Sequence, residues 1–337
     1  GFWLTLPIAN VTLLFKELML GIFDINHILV VLFCVLFLAS ISVFLAIKLF
    51  GREEVLFGEA SSFSLAWKRQ NIIAKPNPGP SEALFFTMLS MGFLLYLAIP
   101  LQANDLVTGL IVTEVLIFLS LPIAFAAYLK FDLKTTFRLR TPSAGSLAAT
   151  LLLFAGTFFS IGTIVYVQNQ LFPIPKEFED YIQKAMKTLY DRSFVSGFLL
   201  IAILPAVCEE TTFRGVILSG MLSRFKPYTA LFLNAFFFGV FHLSLHRFPG
   251  VFLIGFAAAY VVWKSGSIFT GMLLHMLCNG YMTLLFKFPH LDWLGLLEGR
   301  PSVALTTIGV VLVGLAAVVM NRASGTFRTR SSPTEPR

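Results

Sequence analysis

Residues Phe194–Leu222 read FVSGFLLIAILPAVCEETTFRGVILSGML, an apolar stretch with two acids and a base set inside it. A helix needs roughly 20 mainly apolar residues to cross the hydrocarbon of a bilayer, and this stretch exceeds that length. Outward from it, comparable runs cover 28–47, 83–101, 106–129, 147–167, 228–245, 251–263, 268–285 and 303–320, the run 251–263 being short. Lipid offers backbone N–H and C=O groups no partner, so each run is expected as helix. The fold class that follows is all-α, a polytopic transmembrane helical bundle of about nine spans.

Composition agrees. The 337 residues are 57% hydrophobic and only 13% charged, with 37 Phe, whereas soluble domains are about 25% charged. The net charge of +7 comes without a basic stripe interleaved with aromatics, so nucleic acid is not an expected partner; the bilayer is. Lys and Arg instead gather in loops on one side of the spans. If the loop after 28–47 is cytoplasmic, that side holds about twice the Lys and Arg of the other, which expects a cytoplasmic C-terminus. The location expected is the cytoplasmic membrane of a bacterium. Cys34, Cys208 and Cys278 lie in apolar runs without metal-ligand spacing, so no disulfide framework is implied. The chain begins at Gly1 with no signal-peptide features, as a fragment or a processed chain would.

Polar stretches divide the chain. Residues 1–50 hold one span, and 51–82 form a Pro- and Gly-rich linker ending in Lys75-Pro-Asn-Pro-Gly-Pro-Ser. Residues 83–320 contain the other eight runs, and 321–337 form a Ser-, Thr- and Arg-rich tail expected to be disordered. Within 168–192, the piece 178–189 is amphipathic and suited to the membrane surface.

Charge inside the runs is sparse. Arg214 is the base there; the acids are Glu114, Glu209 and Glu210. Burying a charge at the centre of a bilayer costs about 2.5–3.5 kcal/mol on insertion scales, so function with a named partner is the default reading. Glu210 and Arg214 are four apart and can pair on one helix face. Glu209 points about 100° away, without such a partner. The carboxylates are therefore inequivalent, and the uncompensated one suits a general base. The alternative is a buried ionic lock that only fixes helix packing. Glu114 stands alone and receives no catalytic role.

The histidines add a second signal. Glu209 and His242 are nearly equidistant along the chain from the turn at Phe225, which sets them at similar depth in a helical hairpin. Asn279 falls within about a turn of that depth past the turn 264–267, and His275 and Asn279 share a helix face. Singly, each of these is more often a packing residue; the shared depth points to a site. His242 and His246 also stand four apart, but Leu243 occupies the position where zinc proteases of the His-Glu-x-x-His type carry Glu. A zinc site with His242, His275 and Glu209 as ligands stays open beside a metal-free one. Cys208 has no base arranged for nucleophilic work and is expected as a small buried residue.

Glu209-Glu210-x-x-x-Arg214, Phe238-x-x-x-His242 and His275-x-x-x-Asn279 resemble the three motifs of the CPBP family, which comprises type II CAAX prenyl endopeptidases and bacteriocin-processing or abortive-infection membrane proteins. The resemblance covers roughly 83–320 and implies an eight-helix membrane bundle with intramembrane endopeptidase activity. It implies that Glu209 activates water held by His242, that His275 and Asn279 stabilise the oxyanion, and that Glu210 and Arg214 support them. No cofactor is expected; zinc is the alternative, since some members are catalogued as metalloproteases. The expected partner is a membrane-associated peptide or protein substrate. Before residue 80, Pro7, Asn10, Leu13-Leu-Phe-Lys-Glu17, Gly21 and Phe50-x-x-Glu53 resemble the end of a sodium-efflux ABC permease, which would bring an ABC ATPase subunit as a partner. A non-catalytic part of such a permease, or an immunity-type membrane protein, is the third functional alternative.

Overall fold

The computed structural model of the chain describes residues 72–171, 176–190, 193–244, 246–292 and 302–328, with Arg69 and short helical pieces between positions 14 and 40. Among the described residues the regular elements are helices, and the isolated parallel bridge between Lys75 and Phe131 is the β-type pairing. The principal helices are α1 (Pro80–Asn104), α2 (Leu106–Tyr128), α3 (Ala144–Leu171), α4 (Lys176–Tyr190), α5 (Phe194–Leu222), α6 (Pro227–Val240), α7 (Phe248–Ser265), α8 (Ile268–Lys287) and α9 (Val303–Arg328). The protein is an integral membrane protein with an all-α bundle fold.

Among the described residues, six helices are long and apolar enough to cross a membrane: α1, α2, α5, α7, α8 and the Val303–Ser324 part of α9. Counted as one span, α3 is a seventh, bent by 51° between Ser160 and Gly162. All eight apolar runs after the linker are therefore helical, but not all are full spans. The exception is α6, at 14 residues. That is about 21 Å of rise against a hydrocarbon thickness of about 30 Å. The run 228–245 ends its helix early because His242 N–H and Leu243 N–H bond the carbonyls three residues back, Gly239 O at 3.2 Å and Val240 O at 3.0 Å. That tightening closes a helix, and Leu243 then takes a positive φ of 47°. Conversely, 251–263 is not short: α7 starts at Phe248 and ends on Gly266, whose φ of 69° suits a left-handed C-cap. The helix α9 continues past the expected tail boundary to Arg328. Half of the run 28–47, most of the linker and all of 329–337 fall outside the described residues.

The chain forms two compact units, one of residues 1–137 with 215–230, the other of 138–214 with 231–337. In the first, Asp105 caps α2 by accepting from Val107 N–H at 3.1 Å and Thr108 Oγ at 2.6 Å. Gln102 Nε2 donates to Thr113 Oγ at 2.8 Å, which ties α1 to α2. Glu114 is buried at 4% exposure within a π-helical stretch, Thr113–Ser120, so it does not reach out to the membrane edge. In the second unit α3 lies close along α9. A Cβ on Gly156 would come within 2.8 Å of Gly309 O, and one on Gly309 would overlap Ser160. Small residues let two membrane helices approach to backbone contact, and the Thr163 and Thr306 hydroxyls, 2.6 Å apart, pin the same pair. The amphipathic α4 belongs to this unit; Asp180, Gln183, Lys184 and Lys187 on its polar face are exposed.

Candidate active site

All six candidate residues belong to the second unit, and α5 brings the first three. Its backbone departs from ideal α geometry on both sides of the carboxylates, with π-helical turns at Leu199–Ile203 and Thr211–Ile217. Pro205 explains the first of these. It has no N–H, so the carbonyl four residues earlier, Ile201 O, loses its usual intrahelical donor. A buried carbonyl needs another, and Asn279 of α8 supplies it, Nδ2 donating to Ile201 O at 3.1 Å. The second wide turn is served in the same way by Asn234 of α6, which donates to Phe213 O at 2.6 Å. Asparagines from two neighbouring helices thus hold the segment that carries Glu209, Glu210 and Arg214 in place from either side.

Between these anchors sits the ionic cluster. Arg214 Nη1 lies 2.8 Å from Glu210 Oε1, with both side chains fully buried. Arg214 Nη2 also donates to Gly255 O on α7 at 3.0 Å, and its guanidinium stacks over the Phe238 ring, 4.5 Å from the centroid. The expected Glu210–Arg214 pair is therefore present. His275 of α8 stands between the two carboxylates. Its Nδ1 is 3.0 Å from Glu210 Oε1 and its Nε2 is 3.9 Å from Glu209 Oε2. Because Glu210 is ion-paired and can only accept, Nδ1 of His275 carries the proton and donates. In the neutral ring Nε2 then presents its lone pair toward Glu209. The spacing of 3.9 Å is too long for a direct hydrogen bond. Glu209 Oε2 is buried and accepts no hydrogen bond from the protein.

His242 lies beyond the end of α6, not on the helix that the depth comparison assumed. Its Nδ1 donates to Phe238 O at 2.9 Å, which fixes the tautomer and leaves Nε2 as the acceptor. The rings of His242 and His275 both meet Phe238 edge-on, with centroids 5.1 and 5.7 Å away. Phe238 is thus the hub between both imidazoles and Arg214, and this accounts for a phenylalanine four residues before the histidine.

Three further residues shape the site without having stood out in the sequence. Asn234 is fully buried but looks like any polar residue in an apolar run. Arg247, the residue before α7, interacts through its charge with Glu209, although it reads as a loop cation. Gly271 faces Glu210 so closely that a Cβ would sit 2.5 Å from Glu210 Oε2 and 2.6 Å from Val262 Cγ2. Glu210 is tethered on its other oxygen and has no room to withdraw. Gly271→Ala is therefore expected to destabilise the protein by about 1–3 kcal/mol, the usual range for overpacking, and thermal unfolding in detergent would measure it. Cys208 and Cys278 are buried, as expected for small residues in apolar runs. His246 is buried at 9% exposure.

Residues 191–281 match the family model of the type II CAAX prenyl endopeptidases, Rce1-like. This match, over about a quarter of the chain, supports the resemblance to the CPBP family. The matched segment contains Glu209, Glu210, Arg214, His242, His275 and Asn279, and the similarity supports an intramembrane protease of the CAAX type in general. No curated protein and no solved structure matches the chain. The permease-type resemblance before residue 80 has no support from these comparisons, and most of the residues that carry it lie outside the described ones. Among the described residues, no group of three or more His, Cys, Asp or Glu side chains is arranged to hold a metal ion. His242, His275 and Glu209 do not form such a group, and no step below passes through a metal.

Proposed function

We propose that the CPBP segment hydrolyses a peptide bond in a membrane-associated substrate, with Glu209 as the general base for water. The observation that carries this reading is the pair formed by Glu209 Oε2 and His275 Nε2, two hydrogen-bond acceptors 3.9 Å apart. A water donating one hydrogen to each would keep a lone pair for the scissile carbonyl carbon. As that bond forms, Glu209 takes the proton from the water and the carbonyl oxygen becomes an oxyanion. Collapse of the tetrahedral intermediate breaks the C–N bond, and Glu209 returns the proton to the departing amine. Donors aimed at the developing charge are usually the largest catalytic contribution. Asn279 uses one Nδ2 hydrogen on Ile201 O and has a second for this role. Glu210 and Arg214 hold His275 in its tautomer, and His242, oriented through Phe238, offers Nε2 as a further acceptor for water.

The zinc reading and the non-catalytic reading make different predictions. Purified full-length protein in proteoliposomes, given a library of membrane-anchored peptides, is expected to cleave at an unchanged rate in the presence of a strong chelator. Loss of cleavage in chelator with recovery on adding zinc would overturn the metal-free mechanism and restore His242, His275 and Glu209 as ligands. Failure to cleave any membrane peptide, with the protein folded, would leave the site as an ionic lock.

A further inference from the structure

We propose that the end of the second unit around Arg138 and Arg140 binds the phosphate of an anionic lipid headgroup. These residues lie in the segment between α2 and α3, which is docked onto the α7–α8 turn. Arg138 O accepts from Ile268 N–H at 3.2 Å, Arg140 O accepts from the Ser267 hydroxyl, and Arg140 N–H turns back to Arg138 O at 2.8 Å. Arg138 takes a positive φ of 50° to do so, a conformation unusual for a non-glycine residue. The segment is thus held in one shape by the turn it meets.

Among the described residues, the guanidinium groups held there form no ion pair. Nε of Arg138 is buried without a hydrogen-bond partner, and no described carboxylate forms an ion pair with Arg138 or Arg140. Burial and the like charge of Arg140 push Arg138 down to about 10, so it remains a cation at neutral pH. Other span ends meet at the same edge. Ser324 Oγ of α9 donates to Lys264 O at 2.9 Å, and a Cβ on Gly145 would touch Ala323 at 3.1 Å. The stretches 138–150, 263–272 and 318–324 that converge here contain Arg138, Arg140, Lys264 and Arg322 but no Asp or Glu.

Position and chemistry together select the ligand. The edge is made of the ends of four membrane helices, which sets it at headgroup depth. Lys264 Nζ lies 4.5 Å from the Trp263 ring centroid, beside Tyr260, and such aromatics mark the interface between lipid and water. A planar guanidinium matches the oxygens of a phosphodiester and is less costly to desolvate than an ammonium. The N-terminus of α8, at Ile268, adds positive potential of the same sign. A partly buried cation with no described ion pair, set among span ends, is best neutralised by an anion abundant at that depth, a lipid phosphate.

The test uses full-length protein in nanodiscs of phosphatidylcholine, with or without phosphatidylglycerol. Native mass spectrometry after release is expected to show phosphatidylglycerol retained by the wild type. Retention should fall about fivefold for each arginine removed, in Arg140→Gln and in Arg138→Gln with Arg140→Gln. Arg138→Lys keeps the charge and should retain more lipid than Arg138→Gln. If the double variant misfolds, the exposed Arg140→Gln decides alone. Wild-type retention in folded Arg140→Gln or in the folded double variant would overturn the site. An equal rise in thermal midpoint from inorganic phosphate in neutral nanodiscs would make the ligand a free anion and overturn the lipid assignment.

Discussion

Glu209→Gln is expected to lower peptide cleavage by about 10²–10⁴-fold, the range a general base contributes, while leaving the protein folded. The substitution keeps the volume of the side chain and removes the proton acceptor. No described ion pair closer than 3.9 Å involves Glu209, so little packing energy is at stake. A single-turnover assay with a cleaved peptide, paired with thermal unfolding in detergent, separates the two effects. Activity within threefold of wild type in folded Glu209→Gln would remove Glu209 as the base, and the proposed mechanism with it.

Arg214→Met should act on the other property, stability. It leaves the Glu210 carboxylate fully buried between His275 and Gly271 without its cation. Breaking a buried pair by removing one partner is strongly destabilising, by about 3–5 kcal/mol, because the remaining charge is uncompensated. The same substitution also removes the donor to Gly255 O and the cation over Phe238. Adding Glu210→Gln to Arg214→Met is expected to recover part of the loss, because it removes the orphaned charge. Denaturant unfolding in mixed micelles would measure both. A cost below about 1 kcal/mol for Arg214→Met would show that the pair does not hold the site together. The contrast with Glu209→Gln distinguishes a base from its scaffold: one variant folded and inactive, the other unstable.

These outcomes bear on the proton inventory of the site. Glu210 is held as an acceptor by Arg214 and His275, and under the proposed mechanism it does not compete with Glu209 for the proton of a water. The four-residue spacing behind the Glu210–Arg214 pair was visible in the sequence. The position of His275 was not. Sequence separation along a helix gives depth but not which face of one helix meets which face of another. His275 could have faced lipid at the same depth. It faces the carboxylates because Asn279, one turn further on, bonds the carbonyl that Pro205 leaves without a donor.

The helices themselves were legible because lipid enforces a simple rule: apolar runs must become helix. Their ends were less so. The run through His242 continues apolar past Val240, yet the helix stops there, since the turn into α7 requires tightened hydrogen bonds and a positive φ at Leu243. The depth comparison of Glu209 and His242 therefore assumed a helix that ends at Val240, and contact with Phe238 is what holds the His242 ring in place.

What the sequence by itself determined is the all-helical membrane class and the Glu210–Arg214 pair. Hydrocarbon solvent and the helical repeat act on near neighbours along the chain, so both can be read from residue order. Only the tertiary structure decided that His275 would bridge two carboxylates, that Asn234 and Asn279 would hold a helix widened by π-turns, and that Gly271 must lack a side chain. Those features depend on which faces pack together, and interhelical packing in lipid is set by small-residue contacts and a few hydrogen bonds between segments far apart in sequence.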